Sequence, residues 1–212
     1  MIYEVTTLDV LPHTVAEVEA RLEATYPRRS AISALAGSFH TEIGPLNRIV
    51  QIWPYEDIET RDRAVATLGA DGTWEADIAE FVVRRHSETF QSFACSPDVV
   101  HGSFGPWYEM RFYRHAAGDL KHIVAAWQAA LPARLEVSPL ISVSHSLAEG
   151  SDRLLHIWPY RTLDSRQDIR RTIRADGIWP PLAVARKRGM PTYDLLQMEN
   201  MIVVPARFSP LQ

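Results

Sequence analysis

The sequence has little cysteine, little net charge and no long apolar run, and each of these shortages excludes a class of protein. Cys95 is the only cysteine among 212 residues, so no disulfide can form within the chain and a reducing compartment is expected. A formal net charge of -4 leaves no positive footprint for nucleic acid or an anionic membrane. No segment approaches the roughly 20 apolar residues that cross a bilayer. We therefore expect a cytoplasmic protein that has neither nucleic acid nor a membrane as a partner.

Targeting signals and cofactor motifs are also missing from the sequence. The first residues, Met1–Val5, show neither the basic and apolar regions of a signal peptide nor the Arg-rich pattern of a transit peptide. The glycines of Gly102–Gly105 stand outside the strand and helix context that a phosphate or dinucleotide motif requires. The 8 histidines are scattered, without the spacing of metal ligands. We therefore predict no metal site and no permanent cofactor.

What the sequence does contain is an internal repeat. The segment Ile52–Tyr55 recurs as Ile157–Tyr160, and Ala70–Trp74 recurs with one change as Ala175–Trp179. Both pairs are offset by 105 residues without a gap. This period is too long for one unit of a solenoid, so it indicates a domain duplication.

The repeat divides the chain into two modules. We predict one module over residues 1–98 and a second over residues 107–212, joined by a linker at about residues 99–106. The linker contains Gly105 and Pro106, which are typical of connecting segments.

Each module has the pattern β-α-β-β-α-β. Alternating apolar, β-branched and aromatic residues predict the strands Tyr3–Leu8, Ser38–Glu42, Arg48–Tyr55 and Ser87–Phe93, and in the second copy Tyr108–Tyr113 and Leu195–Val203. A capping box at Thr14–Glu17 opens the first helix. We predict that the first helices end near Pro27 and Pro132, and that the second helices end at the Asp-Gly pairs Asp71-Gly72 and Asp176-Gly177.

This order of elements predicts an α+β protein in which helices cover one face of an antiparallel sheet. The other face of each sheet is then bare and apolar, and it must find a partner. The duplicate on the same chain supplies one, so two sheets packed face to face or closed into a barrel are expected.

Several segments resemble the NIPSNAP family. Phe39–Tyr55 contains T-E-I-G-P-L-N followed by W-P-Y, and Arg61 comes shortly after. Tyr108–Tyr113 is similar to the family's opening strand, and Pro205–Pro210 to its closing tail. The resemblance implies two tandem ferredoxin-like βαββαβ modules with antiparallel sheets packed as an intrachain dimeric α+β barrel. That superfamily includes cofactor-free monooxygenases, isomerases and haem-binding enzymes.

The two copies depart from the family pattern in complementary ways. Copy one has Thr6 and Leu8 where the family's opening strand carries Arg and Tyr, whereas copy two lacks the T-E-I-G-x-L-N motif. The position before W-x-Y is Gln51 in copy one and His156 in copy two. This divergence indicates one composite site, and no catalytic residue is carried over from the family.

Strand alternation groups the candidate site residues on one face of each sheet. We expect this face to look into a pocket between the two sheets, while Leu155 and Ile157 on the opposite face contact the helices. The predicted ligand-binding residues are Glu109, Arg111, Tyr113, Gln51, Trp53, Tyr55, Trp158 and Tyr160.

Three histidines are the candidate catalytic residues. His40 and His145 occupy equivalent positions on the second strands and form the preferred acid/base pair, with His156 as the third candidate. Arg111 is suited to hold a carboxylate or enolate oxygen. The competing interpretation is that the aromatic residues pack the core and that the histidines are structural.

Three functions remain open from the sequence. The first is a cofactor-free monooxygenase, isomerase or cyclase with a small hydrophobic or aromatic ligand. The second is a non-catalytic binding or scaffold protein whose barrel is filled by side chains, and the third is haem binding. Exposed helical surfaces are also available to pair two chains into a homodimer.

Overall fold

A computed structural model describes residues 1–71 and 76–212, and its contacts divide the chain into two compact units. Unit 1 comprises Met1–Gln91, Val100–Ser103 and Met201–Gln212, and unit 2 comprises Ser92–Val99 and Phe104–Asn200. Each unit thus contains the larger part of one sequence copy. The boundaries drawn from the repeat, residues 1–98 and 107–212, stay a prediction.

Unit 1 is built on antiparallel strands. The strands are β1 (Ile2–Val10), β2 (Gly37–Ile43), β3 (Arg48–Tyr55) and β4 (Val82–Ser92). β1 pairs with both β3 and β4, and β2 pairs with β3. The end of the last strand, β8 (Leu195–Pro205), also pairs with β2.

Two helices, α1 (Val15–Ser30) and α2 (Ile58–Asp71), and a 3-10 helix (Ala76–Phe81) accompany these strands. Val18 and Leu22 of α1 are fully buried and share one core with Leu8 and Trp53. The predicted helix end at Asp71-Gly72 lies partly outside the described residues, as does the repeated segment Ala70–Trp74.

Unit 2 repeats the same plan. Its elements are β5 (Trp107–His115), α3 (Leu120–Leu135), β6 (Ser142–Ser146), β7 (Arg153–Tyr160), α4 (Leu163–Ala175), α5 (Pro181–Lys187) and the first part of β8. β7 pairs antiparallel with β5 and β6. The register is conserved between the copies, because Glu4 lies opposite Trp53 and Glu109 lies opposite Trp158.

The α+β fold class of two tandem βαββαβ modules is confirmed. Over the described ranges the chain forms eight strands and five α-helices, and the pairings named above are antiparallel. None of the helices in this described part is long and apolar enough to cross a membrane.

The first helix of each copy runs further than predicted. α1 continues past Pro27 to Ser30, and α3 continues past Pro132 to Leu135. Each proline removes one helical hydrogen bond, but the extra turn buries an arginine in the core of its unit. These residues are Arg29 and Arg134, which are 3% and 2% exposed, so tertiary packing outweighs the local cost.

The predicted capping box is not formed. The hydroxyl of Thr14 donates to the carbonyl of Leu11 at 2.7 Å, and no side-chain cap bond closes the start of α1. A capping box occurs instead at the start of α4, where Thr162 and Ser165 bond each other's backbone N–H groups.

The aromatic stripes face the helices, which reverses the prediction for the two faces. Trp53 packs with Leu22 of α1, and the ring of Trp158 stacks on that of Trp127 of α3 at 6.5 Å between centroids. Leu155 and Ile157 therefore lie on the sheet face that points away from the helices. Strand alternation groups residues by face but does not indicate which face the helices cover.

Candidate functional site

Unit 2 contains a pocket of about 300 Å³ on the helix-covered side of its strands. The sequence pattern predicts a pocket between the two sheets, whereas this pocket lies between β5, β7 and the helices of a single unit. Its lining combines aromatic and cationic side chains. Among the described lining residues four are arginines and none is acidic, the arginines being Arg111, Arg134, Arg170 and Arg174.

Helix and strand periodicity bring the polar side chains to this pocket. On α3, Trp127 and Arg134 are seven residues apart and share one face. On α4, Arg170 and Arg174 are four apart, one turn above each other. On β5, Arg111 lies opposite His156 of β7, so both point to the same side of the sheet.

The carboxylate of Glu109 lies behind the pocket and holds three arginines. Its Oε1 accepts hydrogen bonds from Arg111 at 2.7 Å and from Arg166 at 2.5 Å, and Arg170 lies 3.8 Å from Oε2. Burial raises the pKa of the Glu109 carboxyl, but the hydrogen bond from Arg166 and the surrounding cations outweigh it, so the pKa is lowered. Glu109 is therefore an ionised structural anchor with weak basicity.

Arg134 is a buried cation without a carboxylate bound to it in any described contact. One of its Nη atoms donates to the hydroxyl of Ser138 at 2.6 Å, and its guanidinium lies 4.1 Å from the ring centre of Trp158. Its Nε has no hydrogen-bond partner among the described residues. Burial lowers the pKa of both Arg134 and Arg170, so an anion in the pocket would stabilise the charged form of both side chains.

The imidazole of His156 is fixed in one tautomer. The indole Nε1–H of Trp158 donates to its Nδ1 at 2.6 Å, and since an indole only donates, Nδ1 must be the unprotonated nitrogen. The proton sits on Nε2, which is buried and has no partner within the described part of the chain. Desolvation holds the pKa of His156 well below its ordinary value, with added repulsion from Arg111, Arg170 and Arg134. His156 is therefore a neutral hydrogen-bond donor.

Aromatic rings complete the walls of the pocket. The ring of Trp127 meets those of His156 and Trp179 edge-on, each at 5.0 Å between centroids. The hydroxyl of Tyr113 accepts a hydrogen bond of 2.6 Å from Arg111 Nε. Burial raises the pKa of Tyr160 to about 12, so this phenol stays protonated. Apolar walls with a few placed donors are typical of small-ligand sites.

Four of the predicted ligand-binding residues line this pocket, namely Arg111, Tyr113, Trp158 and Tyr160. The carboxylate of Glu109 accepts hydrogen bonds from two of these four residues, Arg111 and Tyr160. Gln51, Trp53 and Tyr55 lie at the equivalent positions of unit 1. There, Arg29 stacks on Trp53 at 3.8 Å and donates to the Tyr55 hydroxyl at 3.0 Å.

Unit 1 fills much of the equivalent space with aliphatic side chains. Leu8 and Leu22 stand where unit 2 has Tyr113 and Trp127, and both are fully buried. Gln51, the counterpart of His156, is also fully buried, and neither polar atom of its amide has a partner among the residues described.

Of the three candidate catalytic histidines, only His156 is among the described residues that line the pocket. His40 belongs to unit 1, where its Nδ1 pairs with Glu19 of α1 at 2.9 Å. His145 belongs to unit 2, where its ring lies 5.9 Å from that of Phe93 and burial lowers its pKa. Their role as an acid/base pair stays a prediction.

The residues predicted from the sequence do not include four further pocket residues: Trp127, Arg134 and Arg170 on the helices, and Trp179 in the segment between α4 and α5. The repeat carried a signal for two of them, since Arg134 matches Arg29 and Trp179 matches Trp74 at the 105-residue offset. In the described ranges, no group of three or more His, Cys, Asp or Glu side chains is placed to hold a metal ion.

Comparison with known proteins adds a family and a fold. The sequence model of the NIPSNAP family matches residues 3–97 and 108–210. The chain is similar to the protein NipSnap of Drosophila melanogaster, with 24% identity over 183 residues that make up 84% of this chain. The match spans 65% of that relative's own length, a little under two thirds.

Two solved structures share the fold along nearly the whole chain. Both belong to proteins proposed to be monooxygenases, and each match covers 97% of this chain. The Lactobacillus acidophilus protein is 11% identical with a TM-score of 0.67 and 93% of its chain covered. The Fusobacterium nucleatum protein is 9% identical with a TM-score of 0.68 and 92% of its chain covered. At such identities the similarity concerns the fold alone.

Proposed function

The chain belongs to the NIPSNAP family, and we propose that it is a small-molecule enzyme of the monooxygenase, isomerase or cyclase type that works without a permanent cofactor. The proposed substrate is a hydrophobic or aromatic acid, enol or phenol bound in the pocket of unit 2. The observation that carries the proposal is the Nε2–H of His156, which has no partner among the residues that the structure describes and is a neutral donor close to the charges of Arg111 and Arg170. The two proteins of the same fold that are proposed to be monooxygenases support the reaction type by analogy.

The shared step of these reactions is ionisation of the substrate. Removal of a proton from an acidic C–H or O–H group leaves an enolate or phenolate oxygen, which needs donors aimed at its charge. His156 Nε2–H and the guanidinium of Arg111 supply them. A hydrogen bond to a charged group contributes about 1.5–3 kcal/mol, which lowers the pKa of a bound acid by about 1–2 units.

The tautomer of His156 assigns it a donor role. Its Nε2 already carries a proton, so it stabilises the oxyanion instead of removing the substrate's proton. An acid with a pKa near neutrality ionises in water and is selected by the pocket as its anion, so no protein base is required for that step. In an oxygenase reaction the anion then reduces O₂: a substrate methylene becomes a carbonyl, and the second oxygen atom leaves as water.

Haem does not fit His156 as an axial ligand. Iron ligation at Nε2 needs a lone pair there and a proton on Nδ1, whereas the N–H of Trp158 is directed at Nδ1. The pocket volume of about 300 Å³ is at the lower end of the range for small-ligand sites. It suits one or two fused rings.

Ionisation of a bound phenol tests the proposal. The absorbance of p-nitrophenol reports its phenolate, and we expect its pKa to fall by about 1–2 units when it is bound. In His156→Gln the shift should shrink. The exposed His86, outside the pocket residues, provides the matched control His86→Gln, which should keep the full shift.

Turnover is then measured on β-diketones and dihydroxynaphthalenes. Deuterium exchange at the acidic C–H, followed by NMR, reports isomerase or cyclase chemistry, and an oxygen electrode reports oxygenase chemistry. An unshifted pKa of bound p-nitrophenol, or full exchange in His156→Gln, would contradict the proposal.

A further inference from the structure

The pocket of unit 2 has more buried positive charge than its own carboxylate can balance. Arg111, Arg166 and Arg170 surround the single charge of Glu109, and their side chains are only 14%, 24% and 25% exposed. Arg134, still more deeply buried, adds another positive charge with no carboxylate bound to it in the described contacts. These four buried or partly buried cations against one anion leave an excess of three charges, and Arg174, the other arginine that lines the pocket, is exposed.

From this imbalance we propose that the natural ligand is an aromatic dianion, a ring that carries two negative charges as two carboxylates or as one phosphate ester. The proposal rests on the proposed function only for the location of the site. A monoanion would leave two of the excess charges without a partner, whereas a dianion leaves one. Because buried unpaired charges are costly, the second negative charge is favoured.

Two unpartnered donors mark where the ligand's oxygens contact the protein. The Nε of Arg134 and the Nε2 of His156 are both buried, and neither has a hydrogen-bond partner within the described part of the chain. Both residues line the pocket. Buried donors are nearly always satisfied in folded proteins, so a ligand oxygen is the missing acceptor at each.

The aromatic walls of the pocket favour a ligand whose uncharged part is an aromatic ring. Trp127, Trp158 and Trp179 form a cluster of mutual contacts with centroid distances of 5.0–6.5 Å. Such walls favour a flat ring over an aliphatic chain. An aliphatic dicarboxylate of equal charge is therefore expected to bind more weakly than an aromatic one.

Unit 1 lacks two of the four matching cations. At the 105-residue offset, Arg111 corresponds to Thr6 and Arg170 to Val65. Arg29 and Arg61 are retained at the positions of Arg134 and Arg166, so two cations stand against Glu4, the counterpart of Glu109, and the excess falls to one charge. We therefore expect one dianion per chain in spite of the duplication.

Isothermal titration calorimetry of the full chain tests the charge of the ligand. The probes are benzoate with one charge, isophthalate with two carboxylates, phenyl phosphate, and adipate as the aliphatic dicarboxylate. We expect isophthalate or phenyl phosphate to bind at least tenfold more tightly than benzoate, with a stoichiometry of one. The stronger of the two identifies the source of the second charge as carboxylate or phosphate. Equal affinity for benzoate and isophthalate, with no gain for phenyl phosphate, would overturn the proposal.

A neighbouring arginine provides a matched control. Arg170→Ala should reduce the preference for the dianion to less than threefold. Arg171 follows it on α4 but is exposed and pairs with Asp168, so Arg171→Ala removes the same charge from outside the pocket and should keep the preference. Equal losses in the two variants would show that only net charge matters and would also overturn the proposal.

The same probes separate this inference from the proposed function. A preference for dianions without any turnover or phenol ionisation contradicts the enzyme proposal and supports the charge assignment. Turnover of monoanionic substrates without a preference for a second charge supports the enzyme proposal and contradicts the charge assignment. Circular dichroism of each variant confirms that it is folded before its affinity is interpreted.

Discussion

The indole Nε1–H of Trp158 donates a hydrogen bond of 2.6 Å to Nδ1 of His156, two residues earlier on the same strand. Residues two apart on a strand share a face, so the W-P-Y motif and the preceding histidine form a local unit. The bond places the proton of the imidazole on Nε2 and leaves that donor for the pocket. In copy one Trp53 is kept but Gln51 replaces the histidine, so this copy has an amide where copy two has the imidazole donor.

The first prediction concerns acid stability. The pKa of His156 is well below its ordinary value in the folded protein, so below pH ~6.5 the unfolded chain binds a proton that the folded chain does not. Stability then falls as the pH decreases, by up to about 1.4 kcal/mol per pH unit. His156→Gln, which introduces the residue of copy one, should lack this component. Urea denaturation from pH 7 to pH 5 measures it, and parallel profiles for the two proteins would contradict the assignment.

For His40 we expect the opposite dependence of stability on pH. Its hydrogen bond with Glu19, opposed by partial burial and aided by the charges of Glu19 and Glu42, raises its pKa. The protonated form is favoured in the folded state, so the stabilisation is complete below pH ~6.5 and is lost as the pH rises through the raised pKa. His40→Gln should be less stable than wild type at pH 5.5 and nearly equal at pH 9. A constant difference across this range would exclude a charged pair with Glu19.

Much of the architecture is predictable from local pattern. The 105-residue repeat, the strand Arg48–Tyr55 and the pairing of each hairpin follow from periodicity and turn residues, and β3 has the predicted bounds. The orientation of the aromatic face is not predictable in this way. The alternation of side chains separates the two faces of a strand but does not tell which face the helices cover. For that reason alternation groups Trp158 with His156 and Tyr160, but the side of the sheet predicted for them is wrong, since Trp158 packs against Trp127 of α3.

The arginines of the pocket show a second limit of sequence reasoning. Arg134 and Arg170 belong to helices, where arginine is most often solvated, and nothing in their neighbours distinguishes them from Arg171. Their burial results from tertiary packing, in which α3 and α4 bring them beside Glu109 and Trp158. The repeat pairs Arg134 with Arg29, which is a usable signal for a shared structural role.

Replacing Arg134 should separate stability from binding. Arg134 is a buried cation with no carboxylate bound to it in the described contacts, so its desolvation is poorly compensated, and we expect Arg134→Met to be at least as stable as the wild type in the free energy of unfolding. It should lose at least tenfold in affinity for isophthalate. Arg29→Met, the same change in unit 1, is the control and should keep the affinity. Wild-type affinity in Arg134→Met would remove this residue from the site.

Glu109→Gln should be the most damaging single change in unit 2. It leaves Arg111, Arg166 and Arg170 without their common counter-charge, and breaking a buried charge pair costs about 3–5 kcal/mol. Glu136→Gln, on an exposed position after α3, should cost less than about 0.5 kcal/mol. Saturating isophthalate should raise the melting temperature of Glu109→Gln more than that of the wild type, because it restores negative charge. An equal rise in both proteins would argue against a shared electrostatic site.

The central claim is that His156 presents a neutral Nε2–H donor to an anion in the pocket of unit 2, and long-range ¹H–¹⁵N NMR of histidine-labelled protein tests it most directly. The spectrum should show His156 as the Nε2–H tautomer near neutral pH, and isophthalate should shift its Nε2–H resonance while that of His40 stays in place. An Nδ1–H tautomer, a protonated ring at neutral pH, or an Nε2–H resonance that does not move at saturation would contradict the account.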